Sequence, residues 1–182
     1  MELGHLHSLD MQSASGSADV TAAVRALAQF ERAYELSNER QRDGLLEGLG
    51  KAALTAGEVE KAREYAESML SRSSRGWNRG TLVHHGHLTL GRIALAEGRL
   101  QEAKNRLLSA GGTPGAPTLN SFGPNMALAK ELVELGEREI VLEYFELCSK
   151  FWDTDRAKDK LRRWSEQVTS GRIPDFGANL IH

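Results

Sequence analysis

The chain carries one cysteine, Cys148, among its 182 residues. A lone cysteine forms no intrachain disulfide and builds no cysteine-based zinc cluster, so a reducing compartment is expected, with the cytoplasm as the default. Neither sign of charge is in excess: 23 basic and 25 acidic side chains leave a formal net charge of −2. Such a chain has no long-range field to recruit nucleic acid or an anionic membrane surface, and neither is expected as a partner. Long apolar runs are missing as well. No stretch approaches the roughly 20 residues of a membrane span, and the opening MELGHLHSLDMQSASGSADV lacks the basic and apolar regions that mark export. Proline is scarce, and three of the four fall between residues 111 and 124, which marks that stretch as a surface loop.

What the chain does have is repetition. Residues 48 to 70, GLGKAALTAGEVEKAREYAESML, align with residues 89 to 111, TLGRIALAEGRLQEAKNRLLSAG, and more loosely with residues 128 to 150, LAKELVELGEREIVLEYFELCSK. Each segment reads as a helical apolar pattern, a glycine and a second helical pattern. The glycines, Gly57, Gly98 and Gly136, sit where a left-handed residue would close one helix and start the next nearly antiparallel to it. A small residue precedes each turn glycine by seven positions (Gly50, Gly91, Ala129), and a small or slender one follows it by five (Ala62, Ala103, Val141). Larger groups, namely Tyr65 or Ala66, Leu107 and Phe145, fill the wider gaps, so small faces large and helices can approach closely.

This pattern resembles the tetratricopeptide repeat. The resemblance is carried by Leu46, Leu49-Gly50, Ala53, Ala62 and Ala66 in one unit, and by Leu90-Gly91, Ala94, Ala103, Leu107 and Ala110 in the next. In a third unit Ala129 replaces the glycine and Val141 the alanine, and the tryptophan usual in the family's first helix is absent from all three. Upstream, Ala26 to Leu36 reads like a second helix alone, its partner to be drawn from His5 to Gln12. The turn glycines lie 41 and 38 residues apart, more than the family's spacing of about 34, so extra residues fall in the links 71–81 and 111–124. Pro124 suits the first turn of a helix that starts at Asn125.

The fold the resemblance implies is all-α, an α-solenoid of antiparallel helix hairpins forming one domain over residues 1–182. It divides into a partial repeat at about 5–38, repeats at 42–73, 81–111 and 124–152, a capping helix at 155–169 and a packed tail at 170–182. The capping helix shows in the residues themselves: Leu161, Trp164 and Val168 make one apolar stripe on an otherwise charged segment, as the end of a solenoid requires. In the tail, Gly171 and Pro174 stop a helix, yet Ile173, Phe176, Leu180 and Ile181 are too apolar for a free end.

In the family, the first helices line a concave surface. The residues just after the small ones there are Lys51, Arg92 and Lys130, a column of cations on that surface if stacking is regular. Glu47, His85, Leu88 and Met126 come about one turn earlier, and Leu54, Leu95 and Val133 would flank the column with apolar surface. The resemblance thus implies a non-catalytic adaptor or scaffold that binds a protein or peptide, an acidic segment suiting the cations best. The plainer alternative is that Lys and Arg merely occupy solvated helix positions. Self-association into a homo-oligomer, metal binding and an enzyme on a helical scaffold are the rival functions.

Three of the six histidines cluster in LVHHGHLTLG, residues 82 to 91. On a helix starting near Asn78 or Thr81, His84 and His87 share a face while His85 points about 100° away from His84, so the three cannot converge. There is no HExxH motif, and no cofactor or metal is expected. His87 aligns with Leu46 and so reads as a packing residue, which leaves His85 for the groove. Cys148 aligns with Ala110 at a small buried position and reads as inert. GGTPGAPTLNSFG has no Lys-Ser or Lys-Thr pair and fails as a phosphate loop. Trp77 and Trp152 read as packing anchors. Glu58, Glu60, Glu131 and Glu134 read as members of salt bridges with Lys61 and similar neighbours rather than as acid and base groups.

Overall fold

The computed structural model describes residues 14–73 and 78–181. Among these residues the protein is all-α, with no strand. The helices are α1 (Ala14–Leu36), α2 (Glu39–Thr55), α3 (Val59–Arg72), α4 (Arg79–Ala96), α5 (Leu100–Gly111), α6 (Pro117–Phe122), α7 (Ala127–Glu134), α8 (Arg138–Cys148) and α9 (Asp155–Thr169). A 3₁₀ turn at Gly177–Leu180 follows. The segment His5 to Gln12 and Trp77 lie outside the described residues.

Three turns share one geometry. After α2, α4 and α7, the glycines Gly57, Gly98 and Gly136 take φ of 80°, 76° and 86°. Each glycine N–H bonds a carbonyl three residues back, and the next residue's N–H reaches five back, as Glu58 to Ala53, Arg99 to Ala94 and Glu137 to Leu132. That paired closure caps the orphan carbonyls of each helix end, and it needs a left-handed residue that only glycine adopts without strain. The residue after each glycine has φ near −80° to −90° and ψ of 64° to 68°, and it starts the next helix at once. A fourth turn of the same kind follows α9 at Gly171, where Arg172 N–H bonds Gln167. Two residues later Pro174 stands where a helix would need an N–H.

Packing runs in chain order: α1 on α2, α2 on α3, α3 on α4, α4 on α5, and then α5 on α8. The helices before the turns also touch, α2 with α4 and α4 with α7. At the small positions Gly50, Gly91 and Ala129, and at Ala62, Ala103 and Val141, the chain is buried. A Cβ on Gly91 would lie 2.4 Å from Leu128 Cδ2 and 3.0 Å from Arg106 Cβ, so this glycine sets how closely α4, α5 and α7 approach. Met69, Ala110 and Cys148, each twelve residues after a turn glycine, are all fully buried. Two apolar clusters result, one around Leu46, Leu49 and Met69 and the other around Leu107, Leu132, Tyr144 and Trp164. Each fully buried Leu contributes about 2 kcal/mol.

Local signals set the remaining ends. Asn38 caps α2 in a reciprocal pair with Gln41: its side-chain Oδ1 accepts from Gln41 N–H at 3.1 Å, and Gln41 Oε1 accepts from Asn38 N–H at 3.0 Å. Thr154 caps α9 through Ala157 N–H. Arg63 on α3 reaches Glu97 before the second turn, and Lys104 on α5 reaches Glu137 after the third. Both cations stand six residues after a turn glycine, so equivalent side chains tie successive units together.

The link 111–124 differs from the surface loop its composition suggests. It folds the short helix α6, with Pro117 in the first turn, and buries Thr113, Ala116 and Leu119. Thr113 Oγ1 donates to Gly80 O at 2.8 Å, Thr118 and Thr81 hydroxyls meet at 2.9 Å, and a Cβ on Gly80 would overlap the Gly115 carbonyl. Prolines and glycines here shape a close backbone approach rather than a solvated excursion. Pro124 does not open α7 either. The helix starts at Ala127, and Asn125 Oδ1 accepts from Ala127 N–H at 2.9 Å.

Candidate functional site: the face of the first helices

The positions expected to form a groove lie on α2, α4 and the start of α7. Lys51, Arg92 and Lys130 are each about a third exposed, and each already has a carboxylate. Lys51 Nζ lies 2.5 Å from Glu47 one turn back on α2. Arg92 spans helices, with Nε and a terminal nitrogen at 2.8 and 2.7 Å from Glu131 on α7. Lys130 pairs with Glu134 one turn on. The three cations therefore stand in a row of ion pairs without net charge. Exposed pairs of this kind contribute about 0–1 kcal/mol each, so they cost little to break or to share with a ligand. Glu60 pairs with Arg63, and Lys61 with Glu31 across on α1 rather than with its neighbours on α3.

The other groove candidates divide by burial. Met126 is fully buried and Leu88 nearly so; both pack in the core beneath this face instead of lining it. Leu54 and Leu95 are partly buried and reach its surface, whereas Val133 is buried. His85 is buried, with Nε2 at 3.3 Å from Glu47 Oε1. Desolvation, with help from His84 and Lys51, holds its imidazole well below the usual range, so it is neutral near pH 7.

The packing histidine is His84 rather than His87. His84 is fully buried: its Nδ1 lies 3.0 Å from Ala110 O at the end of α5, and its Nε2 accepts Asn125 N–H at 3.0 Å. With both nitrogens committed, the ring carries its proton on Nδ1. Burial pushes its pKa down to about 4. His87 is only half-buried; desolvation, with the nearby Arg106 adding to it, lowers its pKa too. Among the described residues, no group of three or more His, Cys, Asp or Glu is placed to hold a metal ion. Cys148 is fully buried beside Tyr144, and desolvation drives its thiol pKa upward, away from the thiolate a nucleophile needs. Trp152 packs against Trp164 with centroids 6.0 Å apart.

The tail supplies what the repeat pattern does not show. After Pro174 the chain crosses from α9 to α2. Phe176 is buried against Trp164 and Phe145, with centroids 5.0 and 6.2 Å away, and Trp164 Nε1 donates to Asp175 O at 3.2 Å. Asn179, also buried, donates through Nδ2 to Phe122 O and Pro124 O at 3.2 and 3.0 Å and accepts at Oδ1 from Lys160 at 2.9 Å. Three successive carbonyls are then taken up: Asn179 O by Met126 N–H at 2.7 Å, Leu180 O by Asn125 Nδ2 at 3.3 Å and Ile181 O by Lys51 Nζ at 3.1 Å.

Beside the tail a cleft of about 190 Å³ is lined by Glu47, Thr81, His85, Thr118, Leu119, Phe122 and Gly123. It lies between α2, α4 and α6, so the inserted helix forms one wall. Asn125 escapes a reading based on repeat register because it precedes the aligned segment 128–150, and Asn179 because it lies in the tail. The one local signal is an asparagine directly after Gly123-Pro124 and before an apolar helix, the place where a capping side chain is wanted. No helix among the described residues is long and apolar enough to cross a membrane. Compared with models of known protein families, with curated proteins and with solved structures, the chain matches none.

Proposed function

We propose that the protein is a non-catalytic adaptor, a short α-solenoid resembling tetratricopeptide repeats, whose first-helix face binds a peptide segment of a partner protein. The solenoid reading is supported by three units with the same turn geometry, the same buried small positions and contact between successive first helices. The observation that carries the binding reading is the capture of the carbonyls of residues 179–181 by Met126 N–H, Asn125 and Lys51. A face that takes up consecutive main-chain carbonyls, here at the end of a 3₁₀ turn, is equipped to hold the main chain of a peptide. The partly exposed row of Glu47, Lys51, Arg92, Glu131, Lys130 and Glu134 offers both signs of charge. It favours a segment of mixed charge over the uniformly acidic one that the cations alone suggest.

Replacing Lys51, Arg92 and Lys130 together by Gln tests this. Each cation is in an exposed pair, so helical signal and melting temperature stay nearly unchanged, while partner capture by the immobilised protein is lost. Capture that persists in the triple variant contradicts the reading.

A further inference from the structure

We infer that residues 172–181 are a resident ligand of the first-helix face, a latch that a partner segment must displace. The inference rests on the adaptor reading and names the chemistry of the segment recognised. It would be a short segment able to form a 3₁₀ turn, with an aromatic residue three positions before an asparagine, as in Phe176 and Asn179 here.

The geometry separates this latch from the helices it covers. It joins α9 through Gly171, at φ of 80°, and Pro174, and holds one 3₁₀ turn rather than a helix. It is fastened at two depths. Phe176 and Asn179 enter the structure as plugs, whereas Ile173 and Ile181 remain half or more exposed. The receptor groups come from several elements: Lys51 on α2, Phe122 at the end of α6, Asn125 and Met126 ahead of α7, Phe145 on α8, and Lys160 with Trp164 on α9. Lys160 is positioned by two indole faces as well, 5.6 Å from the Trp152 ring centre and 5.3 Å from that of Trp164.

Asn179 is the discriminating residue. Its amide donates to two buried carbonyls while its oxygen accepts from a lysine ammonium, a set that neither a carboxylate nor an apolar side chain of similar size can satisfy. Occupancy follows from tethering. A segment joined by a short linker acts at an effective concentration in the millimolar range, so a free segment of equal quality competes poorly until the tether is loosened.

The test uses a fluorescent peptide of the tail's own sequence, RIPDFGANLI, and the full chain. With Phe176→Ala and Asn179→Ala in the chain, the resident plugs are weakened and the site is open to the peptide. Anisotropy titration should show at least tenfold tighter binding than to the unaltered chain, and a peptide with alanine for the asparagine should bind at least tenfold more weakly. A variant that keeps its helical signal yet binds no peptide overturns the latch, as does equal binding by both chains.

Hydrogen exchange on the unaltered chain gives a second reading that needs no variant. The Met126 amide, bonded to Asn179 O, should exchange at least tenfold faster than the amides of Leu107 and Phe145. Equal protection overturns the latch by making the tail part of the core. Failure here removes the support that the captured carbonyls lend, and the adaptor reading then stands or falls on the charge row, which the triple variant tests separately.

Discussion

His84 shows how one buried side chain joins parts distant in sequence. Its ring bridges Ala110 O at the end of α5 and Asn125 N–H ahead of α7, so it fixes where the third unit begins. His84→Leu keeps the volume but strands both partners, at a cost of about 2–4 kcal/mol, measurable as a lower urea midpoint. A pH dependence follows. The folded-state pKa of His84 is depressed from 6.5 to about 4, so its stabilising effect is full above about pH 6.5. Between these values only the unfolded chain gains the proton, and stability falls by up to about 1.4 kcal/mol per pH unit. Below about pH 4 the loss levels off. His85 and His87 are shifted in the same direction. Urea midpoints should therefore drop between pH 7 and pH 4.5, and His84→Leu should flatten that drop without abolishing it. A midpoint independent of pH over this range contradicts the assignment.

At the scale of elements, the glycines separate what register determines from what contact determines. Gly44 lies inside α2 with nothing near its missing side chain, whereas Gly91 faces Leu128 and Arg106. Gly44→Ala should stabilise the fold by about 0.5–1 kcal/mol through helix propensity alone. Gly91→Ala should destabilise it by about 1–3 kcal/mol, because three helices must separate to admit a methyl group. Thermal unfolding of the two variants checks the pair, and shifts of the same sign would contradict it. Helical character and the turn glycines are legible in the sequence, because a left-handed glycine and a 3.6-residue apolar period are local properties. The seam residues at Ala62, Ala103 and Val141 are legible for the same reason. What defeats the reading is contact across units. Residues 111–124 have the composition of a loop but fold onto α4. His84, not His87, is the imidazole that packs between units, since alignment to Leu46 says nothing about Asn125. Of the cations, Lys51 and Lys130 have carboxylates one helical turn away that the spacing already offers, whereas the partner of Arg92, Glu131, is named only by contact between α4 and α7.

At the scale of the whole molecule, helices before each turn touch their counterparts, and the tail returns across them to Lys51. The face it crosses joins ion pairs that cost little to rearrange to a main-chain docking site that is already satisfied. The account's central claim is that a partner docks on this face and not on the opposite one. A photoreactive residue placed at Leu95, which is partly buried on α4, reports on the first-helix face; one at the exposed Gln101 reports on α5, a helix after a turn. Irradiation in the native cell should yield a discrete protein adduct through position 95 and none through position 101. Adducts from position 101 alone, or equally from both, would contradict the account.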